Sequence, residues 1–166
     1  MKKENNLKEW ITPLTVAHFL LVVFIGLTIF IKAEPHSDIL GKLGSVLIIC
    51  ALVFWFVPMF TLRKYGVVSP FGSFLATTRL VDRGVYGMIR HPQYLGFMIL
   101  TSGIALLYQQ VYLGVLAVMI IVLLRFGMNE EDKLLRAQFG EEFINYCKRV
   151  PSVNIFKSLI TILKEK

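Results

Sequence analysis

Leu43-Gly44-Ser45-Val46-Leu47-Ile48-Ile49-Cys50-Ala51-Leu52-Val53-Phe54-Trp55-Phe56-Val57-Pro58-Met59-Phe60-Thr61-Leu62 runs for twenty residues without one charged side chain. A helix of about 20 apolar residues crosses the ~30 Å hydrocarbon core of a bilayer, and in hydrocarbon its backbone groups can pair only with one another. This stretch therefore reads as a membrane span. On its amino-terminal side lies a second run of the same kind, Thr12 to Ile31. On its carboxy-terminal side lie two shorter ones, Tyr94 to Tyr108 and Val111 to Phe126. These reach the lower limit of about 17 residues only when Pro92 and Met128 are counted in. Only Gln109 and Gln110 separate them, so they read as a tight antiparallel helical hairpin. The whole 166-residue chain is 55% hydrophobic and 17% charged, with a mean hydropathy of +0.64, well outside the range of an ordinary soluble domain. The expected fold class is all-α: a polytopic integral membrane protein with four transmembrane helices, the last two a hairpin, followed by carboxy-terminal amphipathic helices.

Lysine and arginine set the orientation. They stand at Lys2, Lys3 and Lys8 in the amino-terminal tail, at Lys32 and Lys42 in the first loop, and at Arg63, Lys64, Arg79, Arg83 and Arg90 in the second. The hairpin tip has none, and eight follow from Arg125 onward. Both termini and the long second loop are thus expected in the cytoplasm, in a multi-pass protein of the plasma (inner) membrane. The net charge of +7 suits that asymmetry and anionic headgroups. Nucleic-acid binding is a poor rival, because no soluble basic domain exists. The first run is too long for a cleavable leader and lacks a small-residue cleavage pattern. His18 within it reads as a helix-packing hydrogen bonder, with the functional option of an intramembrane ionisable group left open. Cys50 and Cys147 are too differently placed to pair, and no Cys/His metal spacing occurs.

Chemistry concentrates where the second loop gives way to the third apolar run, at Arg90-His91-Pro92-Gln93-Tyr94-Leu95-Gly96. An acidic cluster, Glu130-Glu131-Asp132, follows the fourth run, so both polar groups come to one side of the membrane. The bland reading of these acids is favourable charge at the start of the next helix. The loop from Arg63 to Ile89 is punctuated by Gly66, Pro70, Gly72, Gly84 and Gly87, yet Phe71, Phe74, Leu75, Leu80, Val81, Val85 and Tyr86 argue for an ordered, buried segment. Beyond the acids, Leu134, Leu135, Phe139, Phe143, Tyr146 and Val150 recur at helical spacing against a charged face. A second amphipathic stretch, Ile155 to Leu163, follows Pro151. The expected organisation is a single domain: residues 1–62 a two-helix anchor, 63–90 a cytoplasmic loop, 91–166 the hairpin with its carboxy-terminal helices.

Gly84-Val85-Tyr86, the heptapeptide, Glu131-Asp132, Phe139-Gly140-Glu141-Glu142-Phe143, Tyr146 and Arg149-Val150-Pro151 together resemble the isoprenylcysteine carboxyl methyltransferase family, whose broader relatives include membrane phospholipid methyltransferases. The resemblance runs from Thr78 to Pro151. It implies an S-adenosylmethionine-dependent enzyme with a cytoplasm-facing cofactor pocket and lateral access for a lipid or prenylated acceptor. By matched position the cofactor would be held by Thr78, Leu80, Val81, Tyr86, Arg90, His91, Pro92, Gln93, Tyr94, Gly96 and Glu131. His91, Glu131 and Arg125 are the candidate catalytic residues. The chain departs from the family where an arginine commonly stands four residues before the matched acid: here that position is Gly127, with Arg125 the nearest arginine. Phe143 replaces a usual tyrosine, and Ser152 stands where a basic residue is frequent. The acceptor half of the motif is altered while the cofactor half is intact.

The residues themselves agree with that division. Pro92 suits a first helical turn, and the free amides beside it make an anion site for the cofactor's carboxylate. Gly96 permits close backbone approach. Tyr86 or Tyr94 can pack on adenine or sulfonium by cation–π attraction, worth about 0.5 to 2 kcal/mol, while Tyr94 also reads as an interfacial aromatic. With a carboxylate acceptor no general base is needed; with a hydroxyl or amine, His91 or Glu131 must take a proton. His91 equally suits a purely orienting bond. Methyl transfer to a lipid oxygen is the first reading, and N-methylation of a phospholipid amine or S-methylation of a small thiol the second. A small membrane carrier or assembly factor is the non-enzymatic rival, weakened by the lack of charge from Leu43 to Leu62 and from Leu95 to Leu124. A nicotinamide-dependent reductase lacks the Gly-x-Gly-x-x-Gly fingerprint. An arginine introduced at Gly127 is expected to raise activity on a carboxylate acceptor.

Overall fold

The computed structural model describes residues 12–33, 36–66 and 79–154. Every regular element among them is helical: α1 (Pro13–Phe30), α2 (Asp38–Tyr65), a 3-10 turn (Gly84–Gly87), α3 (Pro92–Tyr108), α4 (Val111–Phe139) and α5 (Glu141–Arg149). Three of these, α1, α2 and α4, are long and apolar enough to cross a membrane. The third apolar run forms α3, whose 17 residues span only about 25 Å at the helical rise. The stretch Ile155 to Leu163 and the loop residues Pro70, Phe71, Gly72, Phe74 and Leu75 lie outside the described residues.

Each boundary has a local cause. Thr12 caps α1, accepting the Thr15 amide at 3.2 Å while the Thr15 hydroxyl oxygen accepts the Thr12 amide at 2.9 Å, and Pro13 enters at the first turn, where no amide is needed. His18 bonds within its own helix, Nδ1 lying 2.8 Å from the Leu14 carbonyl. Asp38 opens α2 and Arg63 and Lys64 close it, matching the helix dipole at both ends.

One boundary differs from expectation. The sequence reading closes the fourth span at Phe126 and begins a new helix at the acids, whereas α4 continues unbroken to Phe139. Nothing between Gly127 and Gln138 removes an amide or demands a special backbone angle, so the helix propagates through the charged residues. It stops at Gly140, whose φ of 56° lies in the left-handed region that favours glycine. Glu130, Glu131 and Asp132 therefore sit inside a helix, and the dipole explanation for them lapses.

The chain divides into two compact units, residues 1–48 with 98–131 and residues 49–97 with 132–166. In the first, α2 and α3 touch backbone to backbone. A Cβ at Gly44 would lie 2.6 Å from the Gly103 carbonyl oxygen, and one at Gly103 would lie 2.9 Å from that of Gly44. Small residues allow such an approach, a common device where lipid gives helices no hydrophobic reason to associate. At the tip between α3 and α4, Gln109 adopts φ 52° and exchanges two hydrogen bonds with Ser37, its amide donating to the Ser37 carbonyl at 2.8 Å and its oxygen accepting the Ser37 amide at 2.9 Å. The Tyr108 hydroxyl donates to the Thr28 carbonyl at 3.0 Å. The second unit carries the end of α2, residues 79–91, the first turns of α3, the end of α4, and α5.

Candidate active site

The second unit builds its polar centre from a turn. Gly84 has φ 61°, and a Cβ there would meet the Thr61 Cγ2 of α2 at 2.9 Å, so the chain passes α2 at a point only glycine can occupy. The 3-10 turn follows, with the Met88 and Ile89 amides both donating to the Val85 carbonyl. Ile89 is buried, and the next two residues arrive at the start of α3. His91 stands just before that helix, its carbonyl accepting the Leu95 amide at 3.1 Å, and Pro92 is buried in the first turn.

Asp132 meets this start from α4. Its Oδ2 accepts from Arg90 Nη1 at 2.6 Å and its Oδ1 from His91 Nε2 at 2.8 Å. The side chains are largely sequestered, 13% exposed for Arg90, 3% for His91 and 21% for Asp132. Charge-assisted hydrogen bonds of this kind are worth about 1.5 to 3 kcal/mol each, and stripping one partner from a buried pair costs about 3 to 5 kcal/mol.

Arg90 is further tied to the carboxy-terminal side of the unit. Its Nε donates to the Val150 carbonyl at 3.1 Å, its Nη1 to Cys147 Sγ at 2.9 Å, and its guanidinium carbon lies 5.9 Å from the Phe143 ring centre. The backbone joins in, the Arg90 amide donating to Pro151 and the His91 amide to Ser152, both at 3.0 Å.

Helix α5 supplies the apolar floor. Phe143, Tyr146 and Val150 are buried together, with Leu80, Leu135, Phe139 and Cys147 packed against them. The Tyr146 hydroxyl donates to the Tyr86 carbonyl at 2.6 Å, and burial pushes its phenol far above the ordinary value of 10.0, so it remains a donor. Burial also raises the Cys147 thiol, against the opposing pull of Arg90. At the surface, Arg149 reaches Asp82 at 3.4 Å.

Of the residues expected at the cofactor, Arg90, His91, Pro92, Gln93, Tyr94 and Gly96 fall in one run at the head of α3. The Tyr94 ring stands edge-on to His91, centres 5.3 Å apart, and Gln93 and Tyr94 are half-buried. Gly96 is turned toward α2, where a Cβ would lie 3.1 Å from the Phe54 Cβ; its smallness serves helix packing. Leu80 joins the α5 cluster, Val81 is buried, and Tyr86 is half-buried. Leu80 and Val81 also line a cleft of about 250 Å³ with Tyr65, Arg79, Asp82, Arg83 and Glu142. Thr78 lies outside the described residues.

The acid that meets the heptapeptide within this unit is Asp132; the sequence brings the whole cluster Glu130-Glu131-Asp132 to that side and, by resemblance, gives Glu131 a place at the cofactor. Glu131 and Arg125 belong to the first unit, where Arg125 is exposed and donates to Asn129 at 2.8 Å. Gly127 is buried against α1, and a Cβ there would meet Leu14 Cβ and Cδ1 at 3.3 Å. Any side chain at Gly127 would require Leu14 to give way by a few tenths of an ångström, a packing cost set against the activity gain expected of an arginine there. Asp132, Tyr146 and Cys147 are the residues sequence reasoning left without a role. Asp132 and Tyr146 stood in the sequence only as members of the resembling motif, and Cys147 only as a cysteine beside Tyr146.

Against known proteins, a family model for phospholipid methyltransferase matches residues 40–142, a stretch that includes Arg90, His91 and Asp132. The chain belongs to the phospholipid methyltransferase family. This family member is also similar to protein-S-isoprenylcysteine O-methyltransferase B of Arabidopsis thaliana, 33% identical over 100 residues, covering 55% of this chain and 51% of the relative. The mouse and human proteins named protein-S-isoprenylcysteine O-methyltransferase are each 36% identical over 77 residues, covering 46% of this chain and 27% of theirs. The chain thus spans about half the length of the plant relative and about a quarter of the mammalian ones. No solved structure matches.

Proposed function

We propose that this member of the phospholipid methyltransferase family transfers a methyl group from S-adenosylmethionine to a lipid-like acceptor at the cytoplasmic surface of a membrane, with an oxygen as the first-choice acceptor. The observation that carries this reading is the buried Arg90–Asp132–His91 group at the head of α3, inside the stretch the family model matches. In this reading residues 1–62 anchor the protein, 63–90 form the cofactor loop and 91–166 complete the catalytic part, with α3 as the fourth span paired to α4.

The chemistry of the donor set fits the cofactor. The first turn of α3 offers backbone amides at the positive end of a helix, suited to a carboxylate. Tyr86 and Tyr94, both half-buried, offer ring faces to adenine or to a sulfonium. Leu80, Val81, Gln93 and, by family position, Thr78 and Glu131 complete the set. S-adenosylmethionine supplies, when bound, a methyl group already activated on sulfur. What remains for the protein is alignment of the acceptor and exclusion of water. His91 orients the head of α3 and takes a proton where the acceptor is a hydroxyl or amine.

Titration of the detergent-purified protein with S-adenosylhomocysteine tests the cofactor. Binding is expected, to be weakened at least several-fold by His91→Ala and Glu131→Gln and left unchanged by Glu141→Gln; equal binding by all three would falsify the site. For the acceptor, labelled S-adenosylmethionine should deliver more label to a total lipid extract than to farnesylcysteine derivatives. The supporting fact is that the position is Gly127, set closely against Leu14, and not an arginine. Label recovered on a phospholipid amine or a small thiol would replace the oxygen reading, and fast labelling of farnesylcysteine that Arg125→Ala abolishes would assign Arg125 to the acceptor carboxylate.

A further inference from the structure

Methyl transfer from a sulfonium does not by itself require a histidine whose ring is held on a carboxylate, yet this unit builds one. Asp132 has two oxygens, and each is committed: Oδ2 to Arg90 and Oδ1 to His91. An ionised carboxylate only accepts, so the His91 nitrogen facing it must carry the hydrogen. In a neutral ring that fixes the proton on Nε2 and makes Nδ1 the acceptor nitrogen. Arg90 in turn only donates, and among the described residues its other hydrogen bonds and its ring contact come from one segment: Phe143, Cys147, Val150 and, through its amide, Pro151. The orientation of the His91 ring is therefore transmitted from the carboxy-terminal end of the unit, through Arg90 and Asp132.

We propose that Asp132 is the positioning residue of His91, setting both its tautomer and its ring orientation, and that Arg90 is the strut by which residues 143–151 hold Asp132 in place. The proposal rests on the methyl-transfer reading for the reaction it serves; the tautomer it assigns does not. It also explains why one of three consecutive acids is singled out. Neighbours on a helix point about 100° apart, so with Asp132 facing the head of α3, residues 130 and 131 take other directions.

Asp132→Asn gives a sharp expectation. An asparagine side chain keeps the shape of aspartate but offers one acceptor and one donor end. Arg90, which can only donate, takes the oxygen. The amide NH2 is left facing His91 Nε2, which must then accept, and the ring proton moves to Nδ1. The wrong tautomer in a correctly folded site is a known route to large losses of turnover.

The experiment is nitrogen NMR of histidine-labelled protein in detergent, at alkaline pH, with His91 assigned by difference from His91→Phe; the chain has three histidines, so the spectrum is simple. Wild type is expected as the Nε2–H form and Asp132→Asn as the Nδ1–H form. In parallel, kcat for labelled methyl transfer is expected to fall on the order of a hundredfold or more, with S-adenosylhomocysteine affinity within about threefold of wild type. Asp132→Glu, which restores two acceptors, should return the Nε2–H form and part of the turnover. Wild type in the Nδ1–H form overturns the proposal whether or not the Asp132 variants fold, as does an Asp132→Asn ring that switches tautomer without loss of kcat. Failure of the wild type to bind S-adenosylhomocysteine would count against the methyl-transfer reading alone, since the tautomer is read without it.

Discussion

Tyr146 illustrates how a single side chain ties an apolar contact to a polar one. Its ring lies in the α5 cluster while its hydroxyl holds the Tyr86 carbonyl, and burial drives its phenol upward from 10.0. The folded pKa exceeds the unfolded one, so the stabilisation is fully present below about pH 10, the ordinary tyrosine value, and is lost as pH rises beyond it. Tyr146→Phe should lower stability near neutral pH by about 0.5 to 1.5 kcal/mol, the net worth of an ordinary hydrogen bond. It should also flatten the alkaline decline. Thermal unfolding in detergent at neutral pH and above pH 10 measures both; an unchanged alkaline slope would show that Tyr146 is not the group responsible. The heptapeptide and the acid cluster were legible as chemistry at this scale because charged and ring side chains at the end of an apolar run are conspicuous. Which of the three acids pairs with Arg90 and His91 was not, since it depends on how α4 is rotated about its axis.

At the scale of elements, α5 joins the carboxy-terminal side to the head of α3 through one apolar cluster and the strut of Arg90. Phe143 is central to both, buried in the cluster and set against the Arg90 guanidinium. Phe143→Ala should cost about 3 to 5 kcal/mol, the usual range for a buried phenylalanine. Because the cluster also carries Leu80, which the proposed function places at the cofactor, the same variant should weaken S-adenosylhomocysteine binding. Thermal unfolding and titration of one sample check this, and a large stability loss with unchanged binding would separate α5 from the site. The amphipathic pattern announced α5 because its period survives in sequence. The continuity of α4 through Glu130–Asp132 was missed because a change from apolar to charged composition marks where lipid ends, which need not be where a helix ends.

For the whole molecule, the exposed apolar side chains decide the surroundings. Phe19, Ile29, Phe30, Phe60 and Val111 are each more than 60% exposed, a surface that would drive aggregation in water and is the solvated face in lipid. The lysine and arginine distribution then predicts orientation. Single cysteines placed at residue 2, within 64–88 and at 164, in a background lacking Cys50 and Cys147, should react with impermeant reagent from the cytoplasmic side. One at Gln109 should react from the opposite side. Labelling of 64–88 from outside would separate that loop from the cytoplasmic supply of cofactor and sink the enzyme reading.

The sequence by itself determined the membrane setting, the helical class, the apolar runs and the family, because composition, run length and a dispersed motif are one-dimensional properties. It also located the polar head of α3, since a proline-opened turn at the end of a basic loop is a local feature. Only the tertiary structure decided which acid meets Arg90 and His91, that α5 and Val150–Ser152 hold that pair, and that Gly96 and Gly127 serve packing against Phe54 and Leu14. Each of these turns on helix rotation or on contacts between residues tens of positions apart, and neither is encoded in any local pattern of the chain.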